Sequence, residues 1–343
     1  MNVALLGEVS RSFRAMNTDV AAAVVVPEDR AREAEVALGQ VQSLFAEVEA
    51  TLSRFQPESD LSKLNRSAGT PYQASPLLFS AVDLALKAAR ESGGVFDPTI
   101  LGALVGAGYD RSFEMLGNRI EVLGNRIEML GNEIEMLGNE MAANRDVGAA
   151  ERPAPSGLAW RDIKLDHASR QIYLPSGCGI DLGGIGKGWT VDLARLILWP
   201  FEQFAVDAGG DMYVAGAQAD GQEWTVAVDN PRQPGSDLCV LRIRDRAVAT
   251  STVVRRHWLQ GGQERHHLID PRTGAPAVGR VLAATVVADT VARAEVLAKV
   301  ALILGRESGV EYLNRQRGAA ALLMLADGEV ELTGGFEQMC DDA

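Results

Sequence analysis

Residues 181–188 read Asp181-Leu182-Gly183-Gly184-Ile185-Gly186-Lys187-Gly188, and an amphipathic run from Trp189 to Leu198 follows directly. Glycines let a backbone approach a ligand closely and turn its N–H groups inward. The start of a helix adds positive potential, and Lys187 adds a point charge. The stretch therefore suits a phosphate or pyrophosphate, and it suits a purely structural turn equally well. It is not a Walker loop, because GxxxxGK[ST] is absent, and it is not a dinucleotide fingerprint, because GxGxxG is absent. Working outward from it, strands outnumber helices without strict alternation. That argues for an α+β fold with mixed or antiparallel sheets, and against a doubly wound parallel sheet.

Upstream, the apolar run Val20–Val26 reads as a buried strand. Pro27-Glu28-Asp29 then opens a helix with Ala34, Leu38, Val41 and Phe45 on one face, running to about Leu52. Ser53 to Asn65 is turn-rich, with a short helical piece at Asp60–Leu64. Leu77 to Ser92 is a second amphipathic helix, ended by Gly93-Gly94. Downstream, short strands are expected at Ile163–Leu165, Ile172–Leu174, Phe204–Ala208, Met212–Ala215, Trp224–Val228, Val240–Ile243, Ala247–Ser251 and Val281–Val287. Val291–Leu304 is a strongly apolar helix, and Ala319–Leu325 with Val330–Thr333 makes a closing hairpin.

Residues 114–141 differ from the rest: EMLGNRI, EVLGNRI, EMLGNEI and EMLGNEM are near-identical heptads. The apolar spacing fits a coiled-coil seam, but each Gly costs ~1 kcal/mol in a helix interior. Short strands turning at Gly-Asn fit equally well. Either way the repeats read as a duplication inserted in a surface loop, followed by a flexible exit at 142–157, within one catalytic domain spanning 1–343.

Of the 343 residues, 47% are hydrophobic, which is enough for a sizeable core, and the net charge is -13. Such a charge repels phosphate backbones and makes nucleic acid a poor partner. An anionic ligand would need a local reversal of field. Cys178, Cys239 and Cys340 show no paired framework and read as plain thiols in a reducing compartment. There is no run of ~20 apolar residues, so no membrane span is expected. The N-terminal stretch does not read as a signal peptide, so a cytoplasmic protein is expected from the sequence as written.

Further motifs are individually weak. Asp207-Ala208-Gly209-Gly210-Asp211 is a tight glycine pair inside a strand pattern and reads first as a bulge or a close strand crossing. His266-His267-Leu268-Ile269-Asp270-Pro271-Arg272-Thr273-Gly274 offers a histidine that can act as a base near neutrality. Gly94-Val95-Phe96-Asp97-Pro98-Thr99, Ser59 to Asn65, and Ala249-Thr250-Ser251 followed by Arg255 and Arg256 complete the set.

Taken in order, Met16-Asn17-Thr18, Ser53 to Asn65, Phe96 to Thr99, Asp181 to Asp192, Gly209 to Asp211, Thr250-Ser251 and His267 to Pro276 resemble the ApbE family of FAD:protein FMN transferases. The resemblance implies a T-fold-like α+β scaffold. It also implies transfer of the FMN half of FAD to a Thr or Ser hydroxyl of an acceptor protein, with release of AMP and with Mg2+ against the pyrophosphate. Family members are often exported. By resemblance, Met16, Phe55, Val95, Phe96, Asp97, Asp181, Gly184, Lys187, Gly209, Gly210, Asp211, Thr250 and Ser251 would bind FAD. His267 would be the base, with Asp270 orienting it or sharing the role, and Lys187 would stabilise charge. The Gly186 carbonyl would face the metal. The family carries an Asp and a Thr four residues apart as metal ligands, where this chain has Glu295 and Lys299. An ammonium has no lone pair to offer a metal. The expectation is that the Lys299 ammonium occupies the cation position itself. Loss of transferase activity with FAD binding retained, and hydrolysis of FAD to FMN and AMP, are the rival readings.

Overall fold

The computed structural model describes residues 6–112, 159–260 and 263–341. The heptads at 114–141 and their exit lie outside the described residues. Eight strands form one sheet: β1 (Leu6–Ala15), β2 (Thr18–Pro27), β3 (Phe204–Ala208), β4 (Asp211–Ala215), β5 (Arg246–Thr252), β6 (Val281–Ala288), β7 (Ala320–Leu325) and β8 (Val330–Thr333). Their order in the sheet follows their order in the chain, and every neighbouring pair is antiparallel. The expected alternatives of mixed and antiparallel thus resolve to antiparallel in this sheet.

Alternation along the strands sends successive side chains to two different layers. In β5, Ala247 and Ala249 pack under helices, while Val248 faces the opposite side. That opposite side is covered by a small sheet of Trp224–Asp229, Asp237–Ile243 and Cys340–Asp341. The helical layer consists of α1 (Ala31–Leu52), α2 (Asp60–Arg66), α3 (Pro76–Glu91), α4 (Leu101–Gly106), α5 (Gly186–Leu198), α6 (Val291–Leu304) and α7 (Arg306–Asn314). Serine side chains cap two of these as sequence chemistry dictates: Ser59 accepts from the Ser62 N–H, and Ser75 from the Leu78 N–H.

The first strand was not expected. β1 is an edge strand whose residues are mostly exposed, so no apolar pattern betrays it. It is held by complete antiparallel pairing with β2 across a hairpin whose tip, Met16-Asn17, has φ of 51° and 59°. Both tip residues are left-handed, which Asn tolerates and Met does not favour. This puts an uncommon backbone conformation at the mouth of the cleft described below.

Helix α6 is buried on nearly all sides, from Val291 to Ile303. Its N-terminus is held from outside: the Asp192 carboxylate on α5 accepts the N–H groups of Val291 and Ala292, both at 2.9 Å. Burial pushes Asp192 up to about 6 against those two bonds. Asp192, the last residue of the glycine-rich motif, therefore works as a helix cap that binds α5 to α6. Gly188 lets the two helices meet. A Cβ there would lie 2.8 Å from Glu295 Oε2 and 2.9 Å from the Ala292 nitrogen. Among the described residues, no helix is long and apolar enough to cross a membrane.

Candidate active site

A cleft of about 180 Å3, open to solvent at its mouth, lies between the first turn of α5, the C-terminal half of α6 and the end of α1. Its wall brings together Met16, Phe55, Val95, Phe96, Asp97, Asp181, Gly184, Gly186, Lys187, His267 and Lys299. These residues come from six separated segments of the chain. The expected helix at Trp189–Leu198 begins earlier, at Gly186, so Lys187 sits in its first turn.

The floor is a buried charge cluster. Lys187 forms ion pairs with Asp211 and with Glu295 Oε1, the latter at 3.5 Å. Lys299 Nζ donates to the same Glu295 Oε1 at 2.9 Å. The Gly188 N–H donates to Glu295 Oε2 at 3.0 Å. Glu295 is 1% exposed, and an unpaired ion there would cost several kcal/mol. Burial opposes its ionisation, but the ammonium groups of Lys187 and Lys299 and the Gly188 N–H outweigh burial and hold it at about 2. Lys187 is pushed down to about 8 by burial, against the pull of Glu295. Lys187 is therefore cationic at neutral pH in this arrangement.

His267 forms part of the wall. Its Nδ1 lies 3.4 Å from the Arg256 carbonyl oxygen. The tautomer that donates there keeps the Nε2 lone pair for an incoming proton. Burial, followed by the positive charges of Arg256 and Lys299, pushes its pKa well below the ordinary histidine value. The ring is therefore neutral at pH 7.

The opposite wall is aromatic, with the Phe55 and Tyr109 rings edge to face at 64° and 5.8 Å apart. The Arg54 guanidinium pairs with Asp181 at 2.6 Å and lies 4.2 Å from the Phe55 ring centre and 4.7 Å from that of Tyr109. Tyr109 stacks on Trp258 at 5.4 Å. At the edge of the cleft, buried Asp97 accepts the Thr99 N–H and hydroxyl through Oδ1, at 2.7 and 2.6 Å, and its Oδ2 has no partner. An orphaned carboxylate oxygen beside a cleft fits a donor group on a ligand.

The ApbE family model matches residues 16–323. The chain belongs to the ApbE family. It is 29% identical to the FAD:protein FMN transferase of Treponema pallidum over 321 residues, covering 89% of this chain and 82% of that one. It is 27% identical to the FAD:protein FMN transferase of Salmonella typhimurium, with 89% and 81% covered. The crystal structure of the ApbE protein from Thermotoga maritima superimposes with a TM-score of 0.79 at 22% identity, covering 98% of this chain and 100% of that chain. The flavin transferase ApbE from Vibrio cholerae superimposes with a TM-score of 0.75 at 20% identity, covering 97% and 99%. These two likenesses concern the ApbE fold.

Several expected ApbE site residues lie away from the cleft wall. Gly209 and Gly210 form the turn between β3 and β4, with φ of 67° and 92°, and the Gly210 N–H is held by Asp207 at 2.7 Å. The pair is thus a hairpin turn rather than a bulge or a strand crossing. Among the described residues, Asp211 meets the site through its ion pair with Lys187. The Thr250 hydroxyl bonds to that of Thr285 across the sheet at 2.9 Å, and Ser251 is buried. Asp270 does not orient His267. Its Oδ1 accepts the Arg272 N–H and Nε–H, both at 2.9 Å, and its Oδ2 accepts the Arg272 Nη2–H at 2.8 Å.

The residues at the implied magnesium position do not fit a divalent cation. Both oxygens of Glu295 are engaged by positive or N–H donors, and two ammonium groups flank it. The Gly186 carbonyl accepts the Thr190 hydroxyl at 2.6 Å. Among the described residues no group of three or more His, Cys, Asp or Glu could hold a metal. The glycine-rich turn supplies less free N–H than its composition suggests. Gly183 donates to Asp181 at 2.9 Å, Gly186 to the Leu182 carbonyl at 2.8 Å, and Gly188 to Glu295. Positive potential in the cleft comes from side chains instead. Arg256, read from sequence as part of a solvated basic loop, lines the cleft, and no carboxylate pairs with it among the described residues. Arg54 and Tyr109 were also missed. Arg54 sat inside the Ser53–Asn65 motif and could have been found there, whereas nothing around Tyr109 in the sequence marks it.

Proposed function

We propose that this chain transfers the FMN half of FAD to a Thr or Ser hydroxyl of an acceptor protein, releasing AMP. The observation that carries the reading is the neutral His267 imidazole sharing one cleft with Lys187, Lys299 and Arg256. The diphosphate would lie against the three cations, with a ring of FAD against the aromatic side chains of Phe55 and Tyr109. Asp97 Oδ2 would accept a hydrogen bond from the ligand.

The acceptor oxygen attacks the FMN phosphorus and its proton passes to His267 Nε2. A new P–O bond forms as the bond from that phosphorus to the bridging oxygen breaks. AMP departs with the electron pair, and the nearby cations offset the charge that grows on it. Lys187 and Lys299 act here as charge stabilisers held in place by Glu295. No step is routed through magnesium.

Incubation with FAD and a candidate acceptor, followed by a denaturing gel, tests the reading. Flavin fluorescence on the acceptor supports it. Free FMN and AMP without labelled acceptor indicate hydrolysis, and unchanged FAD in a yellow protein indicates binding alone; either outcome sinks transfer to that acceptor. The catalytic unit of this reading is residues 16–323, with the heptads as ornament. Deleting 114–141 is therefore expected to leave the labelling rate unchanged, and a large loss of rate would assign the repeats a part in the reaction.

A further inference from the structure

We infer that Lys299 is a built-in cation for the FAD diphosphate, which makes ligand binding independent of divalent metal. The inference rests on the flavin-transfer reading for the identity of the ligand. Lys299 reaches the cleft from α6 and is tethered at 2.9 Å to a carboxylate that is itself 1% exposed. Lys187 reaches the same oxygen from α5 at 3.5 Å. One glutamate thus holds two ammonium groups, and Arg256 faces the same space without a carboxylate partner among the described residues. Asp211 and Glu295 neutralise the two lysines, so Arg256 leaves the cluster with surplus positive charge. A divalent ion on Glu295 would have to displace an ammonium and would be repelled by the other. A diphosphate meets complementary charge with no metal present.

Calorimetric titration of flavin-free protein with FAD tests this, in EDTA and in excess magnesium. The wild-type Kd is expected to agree within about twofold between the two conditions. Lys299→Met should weaken FAD by roughly 10- to 100-fold in both, the range of a lost charge-assisted hydrogen bond. Its affinity for riboflavin, which has no phosphate, should stay unchanged, and a merely structural role for Lys299 would instead move both ligands. Lys299→Thr should be weak in EDTA and recover with magnesium, because a hydroxyl can ligate what an ammonium repels. A tenfold or greater loss of wild-type affinity in EDTA overturns the inference, as does Lys299→Met binding FAD like wild type. Metal-independent, Lys299-dependent FAD binding without transfer would sink the flavin-transfer reading and leave this one standing. No FAD binding under any condition overturns both.

A separate observation concerns the thiols. Cys239 and Cys340 are 101 residues apart in sequence, yet their Sγ atoms lie 2.9 Å from each other across the edge of the small sheet. The geometry points to a reversible disulfide that staples the C-terminal strand to that sheet. Cys340 is partly exposed and Cys239 is buried, so Cys340 would react first with a low-molecular-weight disulfide. Its sulfur displaces one small thiol, and Cys239 then displaces the other. The two S–H bonds become one S–S bond, and the electrons and protons leave with the small thiols. After equilibration with oxidised glutathione, denaturation and alkylation, intact mass should show one alkylated thiol of the three, Cys178, and the Tm should rise. Cys340→Ser should abolish both effects. Three alkylated thiols, or a persistent glutathione adduct on Cys340, would overturn the assignment.

Discussion

Replacing His267 with glutamine is expected to slow flavin transfer by roughly 10²- to 10⁴-fold, the range of a positioned general base, while FAD affinity changes by no more than about threefold. The imidazole is neutral because burial and the charges of Arg256 and Lys299 disfavour its protonated form. Glutamine keeps polarity and approximate size but accepts no proton at neutral pH. The pH profile of kcat/KM sharpens the test, because it reports groups in the free enzyme. His267 titrates well below its ordinary value of 6.5, so the base is already competent there and no acid limb should centre on that value. Lys187 titrates at about 8, so its ammonium, and with it the attraction for the diphosphate, is lost as pH rises through that value. The profile should therefore be flat from below neutrality and fall on the alkaline side. A loss of less than tenfold in His267→Gln would remove the residue from the chemistry. A limb centred on the ordinary histidine value would contradict the account of its surroundings.

The sequence carried the fold wherever local pattern and tertiary packing agree. Val291–Leu304 has the bounds its apolar run predicts, because Thr290 caps one end and Gly305, at φ 79°, ends the other. Pattern failed where tertiary contacts overrule propensity. Gly186-Lys187-Gly188 reads as loop, since glycine is a poor helix former, yet it is the first turn of α5. The Glu295 carboxylate binding the Gly188 N–H supplies what propensity lacks. Strand β1 was invisible for the converse reason: pairing with β2 orders it, with few buried side chains to show for it. The site was legible as a set of motifs but not as a set of contacts. His267 and Asp270 look paired at a spacing of three, while the Asp270 carboxylate is taken by the Arg272 guanidinium. Asp211 looked like a binding residue of a Gly-Gly-Asp motif, and its contact is with Lys187. The Glu295–Lys299 spacing also fits an ordinary surface pair on a helix. Only burial, together with the arrival of Lys187 from another helix, reveals a charge cluster.

That cluster makes Glu295→Leu the substitution with the largest expected effect on stability. Removing one partner of a buried ion pair leaves uncompensated charge, which costs about 3–5 kcal/mol, and here two ammonium groups lose the same carboxylate. The sign of the pH dependence follows from linkage. Without Glu295 the pKa of Lys187 falls below its present value of about 8, whereas in the unfolded chain it stays near 10.5. Between those values the unfolded state binds more protons than the folded state, so stability rises with pH. The deficit of Glu295→Leu relative to wild type should therefore narrow as pH is raised from about 7 to about 9. The wild type itself gains from ionised Glu295 above its unfolded value of 4.5, and this gain fades as pH falls toward about 2. Combining Glu295→Leu with Lys299→Met should recover part of the loss, because one fewer unpaired ammonium remains buried. Urea unfolding of the three proteins at the two pH values measures all of this. A loss under about 1 kcal/mol, or a deficit indifferent to pH, would mean that the lysines swing out to solvent once released. Such mobility would be incompatible with a fixed cation at the floor of the cleft, because an ammonium that reaches solvent so easily cannot hold a diphosphate in one orientation.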